Sequence, residues 1–244
     1  MAGRLTNRMF GLVLVLALLV AGGRSLWLWL DQPVRHLDVR DDAHRVSGQQ
    51  LQQRIAPLVK GSGWLSVDLQ ALRAEVRQVP WVHEVSISRR WPDTLRFDIQ
   101  EQQPVAWWND SRLLNAQGEV FEPGQQKITE RMPNLSGPDE RAADVLAYYN
   151  RLQSVLAKKQ LTITQLTLEP RGAWRFQVDD SFWVLMGRSQ VEPQREPRLA
   201  RFLTAWDRML SGRRDQIRYL DLRYPNGLAI GWHGQTATGN VSSR

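Results

Sequence analysis

The stretch from residue 80 to residue 108 reads PWVHEVSISRRWPDTLRFDIQEQQPVAWW. In its first half Val85 and Ile87 alternate with two serines, and in its second half every other residue from Leu95 to Ile99 is apolar. Trp91-Pro92-Asp93 stands between the halves and supplies residues that favour a turn. Because successive side chains of a strand point to opposite faces, this alternation predicts an antiparallel hairpin with one buried face.

The residues before this hairpin begin with a predicted short strand at Val34–Arg40, where apolar and polar residues alternate. A helix is expected next, because Ser47 followed by Gln50 is typical of a capping box. The apolar face of this helix comprises Leu51, Ile55 and Leu58. Gly61-Ser62-Gly63 then breaks the chain.

A second helix is predicted after Asp68, whose side chain can cap it. Its apolar positions recur at helical spacing and are Leu69, Leu72, Val76 and Val79. Pro80 is expected to end it, because proline disfavours the helical conformation of the preceding residue. Together with the hairpin, these elements predict a β-α-α-β-β module over residues 34–103, the size of a small single-core domain.

An apolar segment near the N-terminus predicts a membrane-spanning helix. Every residue from Phe10 to Gly23 is apolar or glycine, and Leu26–Leu30 continues the segment after Arg24. A helix rises about 1.5 Å per residue, so this segment can span a hydrocarbon core of about 30 Å. We therefore expect a transmembrane helix over residues 10–30, preceded by a short cytoplasmic tail at residues 1–9.

The residues that flank this helix predict its orientation. Arg4 and Arg8 precede it, so the positive-inside rule keeps the N-terminus in the cytoplasm and exports the rest of the chain. Trp27 and Trp29 suit the membrane–water interface at the far end. The alternative is a cleaved signal peptide, for which Val20-Ala21-Gly22 offers a cleavage stretch. The Trp–Leu repeat continues the apolar segment past that point and favours a retained anchor.

A second module is predicted over residues 104–233, built mainly from antiparallel strands with two helices. Its first six predicted strands are Val105–Trp108, Arg112–Leu114, Glu119–Phe121, Thr162–Leu168, Trp174–Val178 and Phe182–Met186. Pro133–Pro138 is predicted to be a loop. The helices are predicted at residues 140–159 and Pro197–Leu210, each with an apolar stripe that is typical of a protein core.

A final hairpin ends this module. Strands are predicted at Ile217–Tyr224 and Leu228–Trp232, joined by Pro225-Asn226-Gly227, since Asn-Gly tolerates the positive φ of tight hairpin turns. Residues 234–244 are small and polar and are predicted to be disordered. The fold class is therefore α+β, with a single N-terminal transmembrane helix, a βααββ module and a mainly antiparallel β domain with two helices.

Composition limits the possible functions. The formal net charge is +7, but basic residues are interleaved with acidic ones, as in Arg213–Arg223, so we predict no nucleic-acid partner. Cysteine is absent from the sequence, which excludes disulfides and thiolate chemistry. We predict no cofactor and no small-molecule substrate either.

The sequence contains no catalytic or metal-binding motif that we recognise. The His83-Glu84 pair starts like a zinc-protease motif, but Ile87 stands where the second histidine is required. Phosphate-loop, dinucleotide and nucleophile-elbow motifs are absent. We predict no catalytic, metal or cofactor-binding residues, and hence no enzyme. Two distant glycosidase carboxylates would leave no motif, so a membrane-anchored cell-wall hydrolase is kept as an alternative.

Residues 80–108 resemble the FtsQ/DivIB family, in which a POTRA module follows a single membrane helix. PNLSGP at residues 133–138, RGAW at residues 171–174 and DLRYPNG at residues 221–227 resemble the same family. The resemblance thus extends from the anchor to about Trp232. It implies that the first module is a POTRA domain and that the chain acts by binding other proteins.

The resemblance also implies partners and a binding site. In this family the C-terminal segment receives the periplasmic part of FtsB, which comes together with FtsL. The matching positions, predicted to bind this partner, are Arg223, Tyr224, Asn226, Gly227, Ile230 and Trp232. From the residues alone, the last hairpin would accept another chain if it lies at a sheet edge; the alternative is that Trp232 only closes the core.

The predicted function is a non-enzymatic divisome scaffold that links early and late division proteins at the septum. The resemblance implies a single-pass inner-membrane protein with a periplasmic C-terminus, and further divisome contacts through the POTRA domain, with residues 85–90 as the candidate segment. The alternative is a POTRA-bearing adaptor for protein export or assembly in the envelope.

Overall fold

The computed structural model describes residues 2–39, 45–46, 48–188 and 195–234, which fall into two compact units, residues 1–102 and 103–244. The capping box predicted from Ser47 and the side chain of Gln50 lies outside the described residues. The same is true of residues 235–244, which make up nearly all of the tail predicted to be disordered.

The first unit begins with a long apolar helix, α1 (Ala2–Leu30). The helix starts within the predicted cytoplasmic tail, so the backbone of that segment is helical. Its segment Leu12–Leu30 is long and apolar enough to cross a membrane. The side chains of this segment are exposed, as expected of a helix whose apolar surface is not buried in a protein core.

The predicted β-α-α-β-β order follows α1. The elements are β1 (His36–Val39), α2 (Gly48–Val59), α3 (Leu69–Val76), β2 (Val82–Arg90) and β3 (Thr94–Glu101). In the three-stranded sheet, β3 is the middle strand and pairs parallel with β1 and antiparallel with β2. The alternation of the hairpin is confirmed, because Val85, Ile87, Leu95 and Phe97 are all buried.

The helices of this unit depart from the prediction in two details. Leu58 is exposed, and Val59 is buried in its place, because the buried face of α2 follows the i, i+4 spacing of Leu51 and Ile55. The helix α3 ends at Val76 and not directly before Pro80. The backbone beyond α3 tightens into turns with hydrogen bonds between residues three apart.

The second unit contains a nine-stranded sheet. Its strands are β4 (Pro104–Trp108), β5 (Arg112–Asn115), β6 (Val120–Phe121), β7 (Asn134–Ser136), β8 (Ile163–Leu168), β9 (Ala173–Val178), β10 (Phe182–Arg188), β11 (Ile217–Asp221) and β12 (Ala229–Trp232). They lie in the order β12-β11-β10-β9-β8-β7-β4-β5-β6. Five of the eight neighbouring pairs are antiparallel, so the mainly antiparallel sheet is confirmed.

Two helices share a hydrophobic core with this sheet, as predicted. They are α4 (Ala142–Leu156), extended by a short 3₁₀ turn at each end, and α5 (Pro197–Ala205), which continues as a wider helical turn through Leu210. Tyr148 of α4 stacks on Trp174 of β9 with ring centroids 4.1 Å apart. Phe202 of α5 is fully buried in the same core.

The segment Pro133–Pro138 was wrongly predicted to be a loop, because it contains β7. This strand pairs in parallel with β4 on one side and β8 on the other. Leu135, at its centre, is completely buried. A strand of three residues is too short to show a recognisable alternation of apolar and polar side chains. Its parallel partners, β4 and β8, are not adjacent to it in sequence, so no local pattern indicates the strand.

Two tight hairpin turns in this sheet use acidic or amide residues at positive φ. Asp179 and Asp180, between β9 and β10, have φ values of 49° and 55°. Asn109 and Asp110, between β4 and β5, have φ values of 50° and 66°. This pattern is typical of two-residue turns that match the twist of the flanking strands.

One carboxylate joins the start of α4 to two strands. Asp139 accepts a hydrogen bond from Nε1 of Trp108 at 2.8 Å and two from the guanidinium of Arg112 at 2.9 and 2.7 Å. The hydrogen bonds from Arg112, and next from Trp108, hold the pKa of Asp139 below its ordinary value of 3.8. These contacts therefore favour the charged form of the carboxylate.

Replacing Asp68 with alanine tests the predicted cap of α3. The carboxylate accepts hydrogen bonds from the amides of Gln70 at 2.8 Å and Ala71 at 3.1 Å. We expect Asp68→Ala to destabilise the helix by about 1 kcal/mol, which hydrogen exchange of these two amides would register as faster exchange. Asp68→Ser keeps an acceptor and should restore most of the protection; equal protection in all three chains would contradict the cap.

Replacing Asp139 with asparagine should alter the dependence of stability on pH. Since the folded-state pKa is lowered, Asp139 stabilises the fold above about pH 3.8 and loses that effect as the pH falls through the folded value. We expect Asp139→Asn to lower the melting temperature at pH 7. It should also reduce the further decrease in melting temperature between pH 7 and pH 3, because the substituted side chain has no carboxylate to protonate. Asp144→Asn, which removes a nearby exposed carboxylate, is the control and should leave that difference close to the wild-type value.

Candidate partner-binding edge

The C-terminal hairpin lies at one end of the large sheet. β12 is the last strand in the sheet order, and β11 is its one partner within the part of the chain that the structure describes. Trp232 stands opposite Ile217, and Ile230 stands opposite Leu220. An end strand presents backbone N–H and C=O groups on its outer side, so this edge has the geometry to accept an additional strand.

The structure brings all six predicted contact residues onto this hairpin. Four lie in the connection between β11 and β12, namely Arg223, Tyr224, Asn226 and Gly227, and two lie in β12, namely Ile230 and Trp232. Arg223, Tyr224 and Asn226 are exposed, whereas the other three are half-buried. Tyr224 is the largest apolar group among the exposed ones, with 56% of its surface accessible.

The two residues in β12 have a structural role as well. Ile230 and Trp232 are partly buried and pack against the core that the sheet shares with α4 and α5. The remaining exposed part of Trp232 borders a surface depression of about 530 Å³, whose other lining residues are Arg213, Asp215, Gln216, His233 and Gly234. Trp232 therefore both closes the end of the core and presents an aromatic surface.

The turn between the strands differs from the prediction. β11 ends at Asp221 and not at Tyr224, and neither Asn226 nor Gly227 has a positive φ, so Asn-Gly does not form a tight hairpin turn here. The amide of Leu222 donates to the carbonyl of Leu185 at 2.9 Å and keeps the chain beside β10 for one more residue. The connection between β11 and β12 is therefore a loop that is longer than a two-residue hairpin turn.

A side-chain pair shapes the start of this loop. Nε and Nη2 of Arg223 donate to the two carboxylate oxygens of Asp221 at 2.9 and 2.6 Å, and the amide of Arg223 donates to the same carboxylate at 3.0 Å. The hydrogen bond from Arg223 lowers the pKa of Asp221, and the same contact raises the pKa of Arg223. The forked side of the Arg223 guanidinium is thus engaged within the chain.

Sequence reasoning missed three residues that position this loop. Asp221 holds Arg223, and Nη2 of Arg201 in α5 donates to the carbonyl of Tyr224 at 3.1 Å. Gly187, at a φ of 71°, leaves room for the Arg223 stem, since a Cβ there would lie 3.0 Å from Cγ of Arg223. An Asp two residues before an exposed Arg is a local turn signal, whereas the contacts of Arg201 and Gly187 are non-local and have none.

Two family models match the two units. The POTRA domain, FtsQ-type, matches residues 32–102, and the model described as cell division protein FtsQ/DivIB, C-terminal, matches residues 106–223. The second match ends at Arg223, so the other five predicted contact residues lie beyond it. Both descriptions name domains of a cell division protein, and neither names a catalytic family.

Curated relatives extend the match over nearly the whole chain. Cell division protein FtsQ of Allochromatium vinosum is 35% identical over 96% of this chain and 93% of its own length. The FtsQ proteins of Shewanella oneidensis and Escherichia coli are 33% and 28% identical, over 91% and 94% of this chain and 84% of their own length in each case. The coverage includes the apolar helix, both units and the last hairpin. The chain therefore belongs to the FtsQ/DivIB family of cell division proteins.

Proposed function

We propose that this chain is a non-enzymatic scaffold of the bacterial divisome, which links early and late division proteins at the septum by binding FtsB and FtsL in the periplasm. The observation that carries this proposal is the end strand β12 beside a loop with an exposed aromatic side chain, in a chain of the FtsQ/DivIB family. A site of this kind acts by binding another protein chain.

Strand addition is the mode of binding that suits this edge. A partner segment in extended conformation would pair with the outer side of β12, so that backbone hydrogen bonds supply affinity and flanking side chains supply specificity. Tyr224 is the anchor that contributes most binding free energy, because it is exposed before binding and becomes buried in the complex. Ile230 and Trp232 shape the surface on which the partner lies.

The guanidinium of Arg223 is not free to bind a partner carboxylate through two parallel hydrogen bonds. Its two paired nitrogens already contact Asp221, so a partner carboxylate has to approach another side of the guanidinium or compete with Asp221. The internal pair also fixes the direction of the arginine, which reduces the conformational entropy lost on binding. Arg223 therefore acts as a preoriented positive charge at the start of the loop.

The remaining parts of the chain are assigned by the same proposal. The helix α1 is retained in the inner membrane, with the N-terminus in the cytoplasm and both units in the periplasm. The POTRA domain contacts other division proteins, with residues 85–90 as the candidate segment. Val85 and Ile87 are buried in that segment, so its contacts come from exposed side chains such as Ser86 and Ser88.

Truncating Tyr224 should separate binding from folding. We expect Tyr224→Ala to weaken binding of the periplasmic segments of FtsB and FtsL by about 2 kcal/mol or more, roughly 30-fold in Kd, with an unchanged melting temperature. Trp232→Ala should weaken binding and lower the melting temperature as well, because Trp232 also packs against the core. The measurement is titration calorimetry on the full chain in detergent.

Trp91→Ala is the matched control, because it removes another exposed aromatic side chain that lies in the first unit. It should bind the FtsB and FtsL segments like the wild type. If the folded wild-type chain does not bind these segments, the scaffold proposal fails and an adaptor for envelope export becomes the better explanation. Equal binding by wild type and Tyr224→Ala would remove the loop from the site.

Cysteine labelling tests the topology, since the chain has no cysteine of its own. A membrane-impermeant maleimide should label Glu140→Cys in spheroplasts and should label Thr6→Cys only after lysis. A cleaved signal peptide would instead remove Thr6→Cys from the mature protein, and no labelling of that variant would be seen under either condition. Labelling of Thr6→Cys in intact spheroplasts would reverse the proposed orientation.

A further inference from the structure

The residues directly after α1 are bonded to the first unit. Asp31 follows the last helical residue, and its carboxylate accepts hydrogen bonds from the amides of Leu65 at 2.7 Å and Ser66 at 3.2 Å. The amide of Trp64 donates to the carbonyl of Gln32 at 2.7 Å. A Cβ at Gly63 would lie 2.0 Å from Oδ1 of Asp31, so only glycine permits this approach. We call these contacts the exit clamp.

The tip of the β2–β3 hairpin is bonded to the same place. Nε1 of Trp64 lies 3.1 Å from the carbonyl oxygens of both Arg90 and Thr94, which flank the tip. The amide of Arg35 donates to the carbonyl of Asp93 at 3.0 Å. The guanidinium of Arg89 donates to the carbonyl of Trp64 at 2.8 Å. The tip is therefore held beside the point where the chain leaves α1.

The side chains at this tip are those of a membrane interface. Trp91 exposes 64% of its surface, and Pro92 beside it is also exposed. Arg90 at the tip and Arg35, whose amide is bonded to the tip residue Asp93, are exposed cations. Tryptophan is enriched where an apolar ring meets the polar headgroup region, and cations nearby favour anionic headgroups. Trp27 and Trp29 of α1 carry the same type of side chain at the helix end.

We propose that the hairpin tip Arg90–Pro92 lies in the headgroup region of the membrane that α1 crosses, so that the POTRA domain has a second contact with the lipid surface. The inference rests on the proposed insertion of α1. At most about 18 Å of chain separates Leu30 from Arg35, and Arg35 is bonded to the tip. The exit clamp brings the tip still closer to the end of α1, so that the indole ring of Trp91 can reach the headgroup layer.

A fluorescent reporter on an introduced cysteine tests this contact. Arg90→Cys keeps Trp91 in place and carries an environment-sensitive dye, in the full chain reconstituted into liposomes with headgroup spin-labelled lipids. Gln100→Cys is the matched control, because it is exposed on the same hairpin and lies six residues from Thr94, about 20 Å along β3. Leu28→Cys, in the last turn of α1, reports whether the helix is inserted.

We expect quenching at position 90 to be at least about twofold stronger than at position 100, and Trp91→Ser in the Arg90→Cys chain to reduce it. Equal quenching at positions 90 and 100, with strong quenching at position 28, overturns the lipid contact and leaves the proposed function intact. Weak quenching at position 28 shows that α1 is not inserted; the proposed insertion and the lipid contact then both fail, whereas the proposed binding of FtsB and FtsL is decided by its own titration. A dye at position 90 that responds only to added division proteins identifies a protein-docking surface instead.

Discussion

The nine-stranded sheet of the second unit is continuous only through β7, three residues that pair in parallel with a strand on each side. On one side lie β4, β5 and β6, and on the other lies the series of strands that ends at β12. Leu135 is buried in the core. The side chain of Asn109 donates from Nδ2 to the carbonyl of Gly137 and accepts at Oδ1 from the amide of Gly137, both at 3.1 Å. The edge strand β12, where we propose that a partner binds, is therefore positioned by a strand in the middle of the sheet.

Local patterns in the sequence were sufficient for much of this fold. The alternation before and after Trp91-Pro92-Asp93 predicts β2 and β3, and Asp68 marks the start of α3. Local patterns failed where distant residues decide the conformation. β7 depends on two parallel neighbours, and the Asn226-Gly227 sequence is overridden by the bonds of Leu222 and Arg223. The prediction that Leu58 lies on the buried face of α2 was wrong by one residue, because Val59 is buried instead.

The candidate site also combines residues that the sequence predicts with residues that only the structure reveals. Its six residues were predicted from a resemblance, and the structure collects them on one hairpin whose strand is at the sheet edge. Two of the residues that hold the loop in shape, Gly187 of β10 and Arg201 of α5, are distant from it in sequence, and no local pattern indicates them. The roles proposed for Tyr224 and Trp232 also differ, because one side chain is exposed and the other is half-buried, and only the structure gives that burial.

The exit clamp between Asp31 and the backbone of Leu65 and Ser66 has a mechanical consequence. A domain on a flexible linker rotates independently of its anchor, but a domain bonded to the end of its helix turns with that helix. If α1 crosses the membrane as proposed, rotation of α1 about its own axis changes the direction in which the POTRA sheet faces in the plane of the membrane. Neighbouring helices that fix the rotation angle of α1 would then, through the exit clamp, also determine which proteins that sheet can contact.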